Sequence, residues 1–130
     1  MRAFIVELAN RPGSLAIVAE ALGARGINIT GTAGATAGDH GSLALTADDE
    51  DGARSTLQAN GWTFREVDMV VARTDHQPGA LGKAARRLAD AGVNIETMFV
   101  IGADDGKADI AFGVGDAAAG RDALGDLCVS

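Results

Sequence analysis

The chain of 130 residues has no tyrosine, one tryptophan, four phenylalanines, two histidines, two prolines and a single cysteine. One cysteine, Cys128, excludes an internal disulfide and fits a reducing compartment, so a cytoplasmic location is expected. The two histidines, His40 and His76, stand in separate loops. No Cys/His or Asp/Glu set has metal-ligand spacing, and no nucleophile stands in a recognisable motif, so neither catalysis nor a metal or other cofactor is expected. The run Asp48-Asp49-Glu50-Asp51 is read instead as the acidic complement to a helix dipole. Gly31, Gly34 and Gly38 follow a helix and enter a strand, the reverse of a dinucleotide-binding turn. An excess of positive charge is also missing. The net charge is -7; residues 1–66 carry 5 basic and 8 acidic groups, and residues 67–130 carry 6 and 10. Without a basic stripe, nucleic acid and anionic membrane are poor partners. No apolar run approaches ~20 residues and the N-terminus lacks a signal-peptide layout, which points to a soluble protein.

What is present is a repeat. Asn10-Arg11-Pro12-Gly13-Ser14-Leu15 leads through a helical pattern to Gly26-Ile27-Asn28-Ile29. Sixty-six positions later stand His76-Gln77-Pro78-Gly79-Ala80-Leu81 and Gly92-Val93-Asn94-Ile95. Both prolines fall in these copies. A period of half the chain implies a duplicated unit of about 65 residues. Units that small bury little core, so docking on each other or on a second chain is expected, and a homodimer is the expected assembly.

In each copy a strand ends in a polar residue, Pro-Gly turns the chain, and an amphipathic helix begins. Proline suits the first helical turn, where its missing amide hydrogen would have no partner. Glycine keeps the backbone bare beneath anything above the turn. The next amides carry the positive end of the helix dipole, which suits a carboxylate. Gly26 and Gly92 are expected to end the helices in left-handed caps.

In order, the first half reads strand, helix, strand, strand, helix, strand. Phe4, Val6 and Leu8 share one face of the first strand. Leu15, Val18, Ala19 and Leu22 form one helical stripe, and Ile17, Ala21 and Ala24 form a second. Lys83, Arg86, Arg87 and Asp90 occupy that second side in the other copy. The first helix is therefore expected to be covered on two sides. Residues 27–36 read as the second strand, Asp39-His40-Gly41 as a turn and Ser42 to Ala47 as the third strand. A helix over the acidic run follows, anchored by Leu57 and ended by Asn60-Gly61. Trp62 opens the fourth strand, and the boundary is placed at Glu66 to Asp68, giving domains 1–66 and 67–130. The second half repeats the order, but only Cys128-Val129-Ser130 stand where a fourth strand is due. An open edge position is expected there.

The order βαββαβ, with Pro-Gly-x-Leu opening one helix and Gly-(Ile/Val)-Asn-Ile opening one strand, resembles the ACT domain, twice in register. The resemblance implies an α+β fold of two tandem ferredoxin-like sandwiches, the second with a truncated or missing last strand. It implies a non-catalytic regulatory protein that binds a small effector, typically an amino acid, at the seam between neighbouring ACT domains. Carried onto this sequence, the binding residues would be Asn10, Pro12, Gly13, Ser14, Leu15 and Asn28 in one copy. In the other they would be His76, Gly79, Ala80, Leu81 and Asn94. Many members carry aspartate where Asn10 and His76 stand, so a charged partner for an ammonium is missing in both copies. The amide oxygen of Asn10 can still accept from an ammonium. The alternative is a regulatory or structural subunit that binds a metabolic enzyme through its ACT surface, without a working ligand site.

Overall fold

The computed structural model describes all 130 residues, with six strands and four α-helices. They follow as β1 (Arg2–Ala9), α1 (Ser14–Ala24), β2 (Ile29–Ala37), β3 (His40–Ala47), α2 (Glu50–Ala59), β4 (Phe64–Asp75), α3 (Ala80–Asp90), β5 (Ile95–Asp104), β6 (Lys107–Val114) and α4 (Ala117–Leu124). The chain is α+β and divides into two compact units, Arg2–Glu66 and Val67–Ser130, the second including Met1. The division falls inside β4. That strand runs for 12 residues without a break, although Glu66 and Asp68 interrupt its apolar alternation.

In the first unit β3 lies between β2 and β1, and both ladders are antiparallel, with Phe4 opposite Leu45 and Val6 opposite Leu43. These side chains meet Val18 and Leu22 of α1 and Ala53 and Leu57 of α2 in one buried cluster. Each large apolar side chain buried this way contributes about 1.5–3 kcal/mol. In the second unit β6 lies between β5 and β4, with Val70 opposite Phe112. Its core joins Val70, Ala72, Ile110, Phe112 and Val114 to Ala84 and Leu88 of α3 and Leu124 of α4. Residues 128–130 lie along β4: the Val129 amide donates to the Val71 carbonyl at 2.9 Å, and the Val71 amide to the Ser130 carbonyl at 3.0 Å. The edge position beside β4 is thus filled over that short length.

The two units match element by element. Ser14 and Ala80 start their helices sixty-six positions apart, whereas His40 and Lys107 start their strands sixty-seven apart. The extra residue is absorbed in β5, whose pairing slips between Val100 and Gly102, a slip with no counterpart in β2. A bulge is the ordinary means of accommodating one added residue in an antiparallel strand.

Both long caps are built alike. Gly26 and Gly92 are left-handed, with φ of 71° and 73°. The Ile27 amide returns to the Leu22 carbonyl at 3.1 Å, and the Val93 amide to the Leu88 carbonyl at 2.9 Å. This six-residue closure satisfies carbonyls that the helix end would leave open. It also explains why β2 starts at Ile29 rather than Ile27, since Ile27 is committed to the cap.

Four local expectations change. Pro12 is not in the first helical turn, because Gly13 adopts φ 90° and the helix begins one residue later, at Ser14. Leu15, expected in the core stripe, is 55% exposed: it stands in the first turn of α1, and only Val18 and Leu22, further along the helix, are buried. The second apolar row is not covered by the chain: Ile17 is 58% exposed and Ala24 is exposed. The β2–β3 turn is the tight pair Gly38-Asp39, with Gly38 at φ 60°, so His40 already belongs to β3.

Candidate functional site

The junction between β1 and α1 is held by short local bonds. The Asn10 amide donates to the Asp39 carbonyl at 2.9 Å, and the Arg11 amide folds back on the Ala9 carbonyl at 3.0 Å. The Ser14 hydroxyl donates to the Ala9 carbonyl at 2.8 Å, and the Ser14 amide to the Arg11 carbonyl at 3.3 Å. The Ser14 amide is therefore already engaged. Leu15, one residue further into the helix, has no carbonyl four residues back within the helix, as in any first turn. Gly13 is required by its backbone angle alone: a Cβ there would meet nothing within 4 Å, so the space above it is open.

Beside this junction lies a cavity of about 310 Å³ lined by Leu8 to Arg11, Ser14, Leu15, Gly34 to Thr36 and Gly41 to Leu43. It exists because β2 and β3 present glycine, alanine and hydroxyl side chains where bulkier residues would fill the space. The Asn10 side-chain amide donates to the Gly38 carbonyl at 2.9 Å, tying the turn to the cavity wall. With its NH₂ group engaged, Asn10 offers Oδ1 as an acceptor. The walls so carry an amide oxygen, the hydroxyls of Ser14 and Thr36, and an apolar side made by Leu8, Leu15 and Leu43, whereas Ser42, next to Leu43 in β3, turns its side chain to the other face of the sheet. A cavity of this size with few polar groups suits a small molecule.

Of the residues expected at the site, Asn10, Ser14 and Leu15 line this cavity. Pro12 lines a neighbouring one of about 240 Å³, with Glu7, Arg11, Ile17 and Trp62 among its walls. Gly13 lines neither. Asn28 stands beyond the far end of α1, about 16 Å of helix from the turn. Its amide donates to Asp48 Oδ1 at 3.0 Å, and its carbonyl accepts from the Asp48 amide at 3.1 Å. The two halves of the expected site are therefore not brought together within the first unit. Arg11, Thr36 and Ser42 were not among the residues singled out from the sequence. The glycines of β2, with Gly41, were the signal available, since side chains missing from two paired strands leave room beside them.

The second unit repeats the backbone but not the chemistry. The His76 amide donates to the Gly106 carbonyl at 2.7 Å, and Gly79 takes φ 88° ahead of Ala80 and Leu81. Ala80 stands at the place of Ser14 and Gln77 at that of Arg11. Asn94 lines a separate hollow of about 490 Å³ with Gly82, Arg86 and Val93. A cleft of about 390 Å³ lies further along β5 and β6, lined by Arg73, Gly102 to Asp105, Lys107 and Asp109. Both of its cations are already paired. Arg73 donates from two nitrogens to Asp109 at 2.7 and 2.9 Å, and Lys107 pairs with Asp75. The hydrogen bonds from Arg73 and from Lys107 hold the Asp109 and Asp75 carboxyls below the ordinary carboxylate range.

The acidic run after β3 is likewise accounted for. Asp49 caps α2 by accepting from the Gly52 amide at 2.9 Å, Asp48 holds Asn28, Glu50 accepts from the Arg2 amide, and Asp51 pairs with Arg54.

No protein-family model and no curated protein sequence matches this chain. Solved structures do. Protein BT0572 from Bacteroides thetaiotaomicron is 28% identical, with a TM-score of 0.79 over 95% of this chain and 85% of that one. The regulatory subunit of aspartate kinase from Thermus thermophilus, in its ligand-free form, is 20% identical, with a TM-score of 0.68 over 95% and 88%. The corresponding subunit from Thermus flavus is 20% identical, with a TM-score of 0.67 over 95% and 90%. The likeness to the two subunits is one of fold, and supports an ACT-like, ferredoxin-like arrangement.

Proposed function

We propose that this chain is a non-catalytic regulatory protein of two tandem ACT domains, residues 1–66 and 67–130, that senses an amino acid in the cytoplasm as a homodimer. The observation that carries the reading is the cavity at the β1–α1 junction, where Asn10 Oδ1, the hydroxyls of Ser14 and Thr36 and the first turn of α1 converge. A zwitterion needs donors for its carboxylate and an uncharged or negative acceptor for its ammonium, and these groups supply both kinds. The regulatory neighbours of matching fold favour the same reading. Because Asn28 stands at the other end of α1, a complete site takes that residue from a second copy of the chain. His76, Gly79, Ala80, Leu81 and Asn94 would form the weaker, second-domain counterpart.

The test is a thermal-shift screen against the twenty amino acids at millimolar concentration. A ligand that binds only the folded protein raises its stability with concentration. A rise with one amino acid or one side-chain class, lost in Asn10→Ala, is the expected result; a flat response across all twenty from folded protein would defeat the sensor reading. The row of Ile17, Ala21 and Ala24, exposed at Ile17 and Ala24, favours a second reading, a subunit that docks on a metabolic enzyme. Co-purification of a larger protein, lost in Ile17→Lys, would support it.

A further inference from the structure

We infer that the effector of the first-unit cavity is an acidic amino acid whose second carboxylate is recognised by Arg11. The inference rests on the cavity proposed above as the sensing site. Among its twelve lining residues Arg11 alone carries a charged side chain. No carboxylate neutralises it: the ion pairs of the first unit join Arg2 and Arg54 to Glu66 and Asp51. The nearest acid along the strand, Glu7, lines the neighbouring cavities and not this one. The one charge carried by this cavity's lining residues is therefore positive, although Arg11 also borders the neighbouring cavity that Glu7 lines, and a positive charge favours an anionic group over a cationic one.

The rest of the wall fits the same ligand. An α-carboxylate finds the Thr36 hydroxyl and the first turn of α1, and the ammonium finds Asn10 Oδ1. Had the site evolved for a neutral zwitterion, no cationic side chain would be needed beyond these groups. Guanidinium geometry matches a carboxylate with two parallel donors, which a glutamine or lysine in its place does not reproduce. The second unit shows the contrast. Gln77 stands at the place of Arg11, Asp75 at that of Ala9 and Asp109 at that of Ser42, and these acids are paired with Lys107 and Arg73. The second unit therefore has no unpaired cation at the place of Arg11, and the acidic effector is assigned to the first unit.

The experiment is a thermal-shift titration of the whole chain with L-glutamate and L-aspartate, and with L-glutamine and L-asparagine as neutral isosteres, on wild type, Arg11→Gln and Arg11→Lys. The expected result is roughly tenfold tighter binding of one acid than of its amide, as for a charged hydrogen-bonded contact. Arg11→Gln should abolish the preference without weakening the amide, and Arg11→Lys should keep part of it. Equal or tighter binding of the amides, or a preference that survives Arg11→Gln, overturns this inference and leaves the sensor reading standing. No response to any amino acid overturns both.

Discussion

Glu66 is the place where one substitution tests the packing of the first unit most directly. Its carboxylate accepts from Arg54 Nε at 2.8 Å and from Nη2 at 2.6 Å, and Arg2 lies 3.5 Å away. The same guanidinium lies 5.8 Å from the centre of the buried Phe4 ring, so the pair clamps α2 onto the sheet. Glu66 exposes 21% of its side chain and Arg54 30%, so the pair is only partly screened. A charge-assisted bond so placed is worth about 1.5 kcal/mol, at the low end of the range for charged groups. For a unit of this size, Glu66→Gln should lower the melting temperature of the first unit by roughly 6–12 °C near pH 7. The hydrogen bonds from Arg54 outweigh burial and hold the Glu66 carboxyl below its ordinary value of 4.5. A depressed carboxyl stabilises the fold fully above the ordinary value and loses that effect as pH falls through the depressed one. The gap between wild type and Glu66→Gln should therefore be constant above about pH 5 and close below the ordinary carboxylate range. Circular dichroism melts from pH 7 down to pH 2, with Arg54→Met completing a double-mutant cycle, measure both. A gap under about 0.3 kcal/mol at pH 7, or one that persists undiminished at pH 2, would refute the assignment.

Two glycines of the second unit separate backbone strain from crowding. Neither Gly79 nor Gly82 has anything within 4 Å of a built Cβ, but Gly79 takes φ 88° while Gly82 lies inside α3. Gly79→Ala should cost about 1–2 kcal/mol and Gly82→Ala should stabilise by up to about 1 kcal/mol, read as opposite shifts in urea midpoint; equal signs would refute the left-handed assignment. Asp49→Ala removes the oxygen that caps the Gly52 amide and should cost about 1 kcal/mol, whereas Asp49→Asn should restore most of it.

Much of the fold was legible because its signals are local. A proline and glycine before a helix, a glycine after it, and alternating apolar residues between turns specify elements with few other solutions, and their recurrence at one period specified two similar units. The acidic run at 48–51 was legible as a helix opening for the same reason, but that Asp49 is the member that caps it was not. The pairing of strands, the clamp from Arg54 to Glu66 and the bulge that absorbs an extra residue in β5 were not, because each joins positions whose closeness depends on the register of the sheet. The candidate site divides along the same line. The turn at Asn10 to Leu15 could be named from its motif, but the cavity beside it is made by side chains missing from β2 and β3, and an absence of side chains becomes a space only when two strands are laid together. Leu15 shows the converse: helical spacing assigned it to the core, and only the folded chain shows it exposed on the wall of the cavity. Local sequence patterns were enough to name the elements and their order, because propensity and turn signals act over a few residues; packing set their limits and which of their faces meet, and so which polar groups share one cavity.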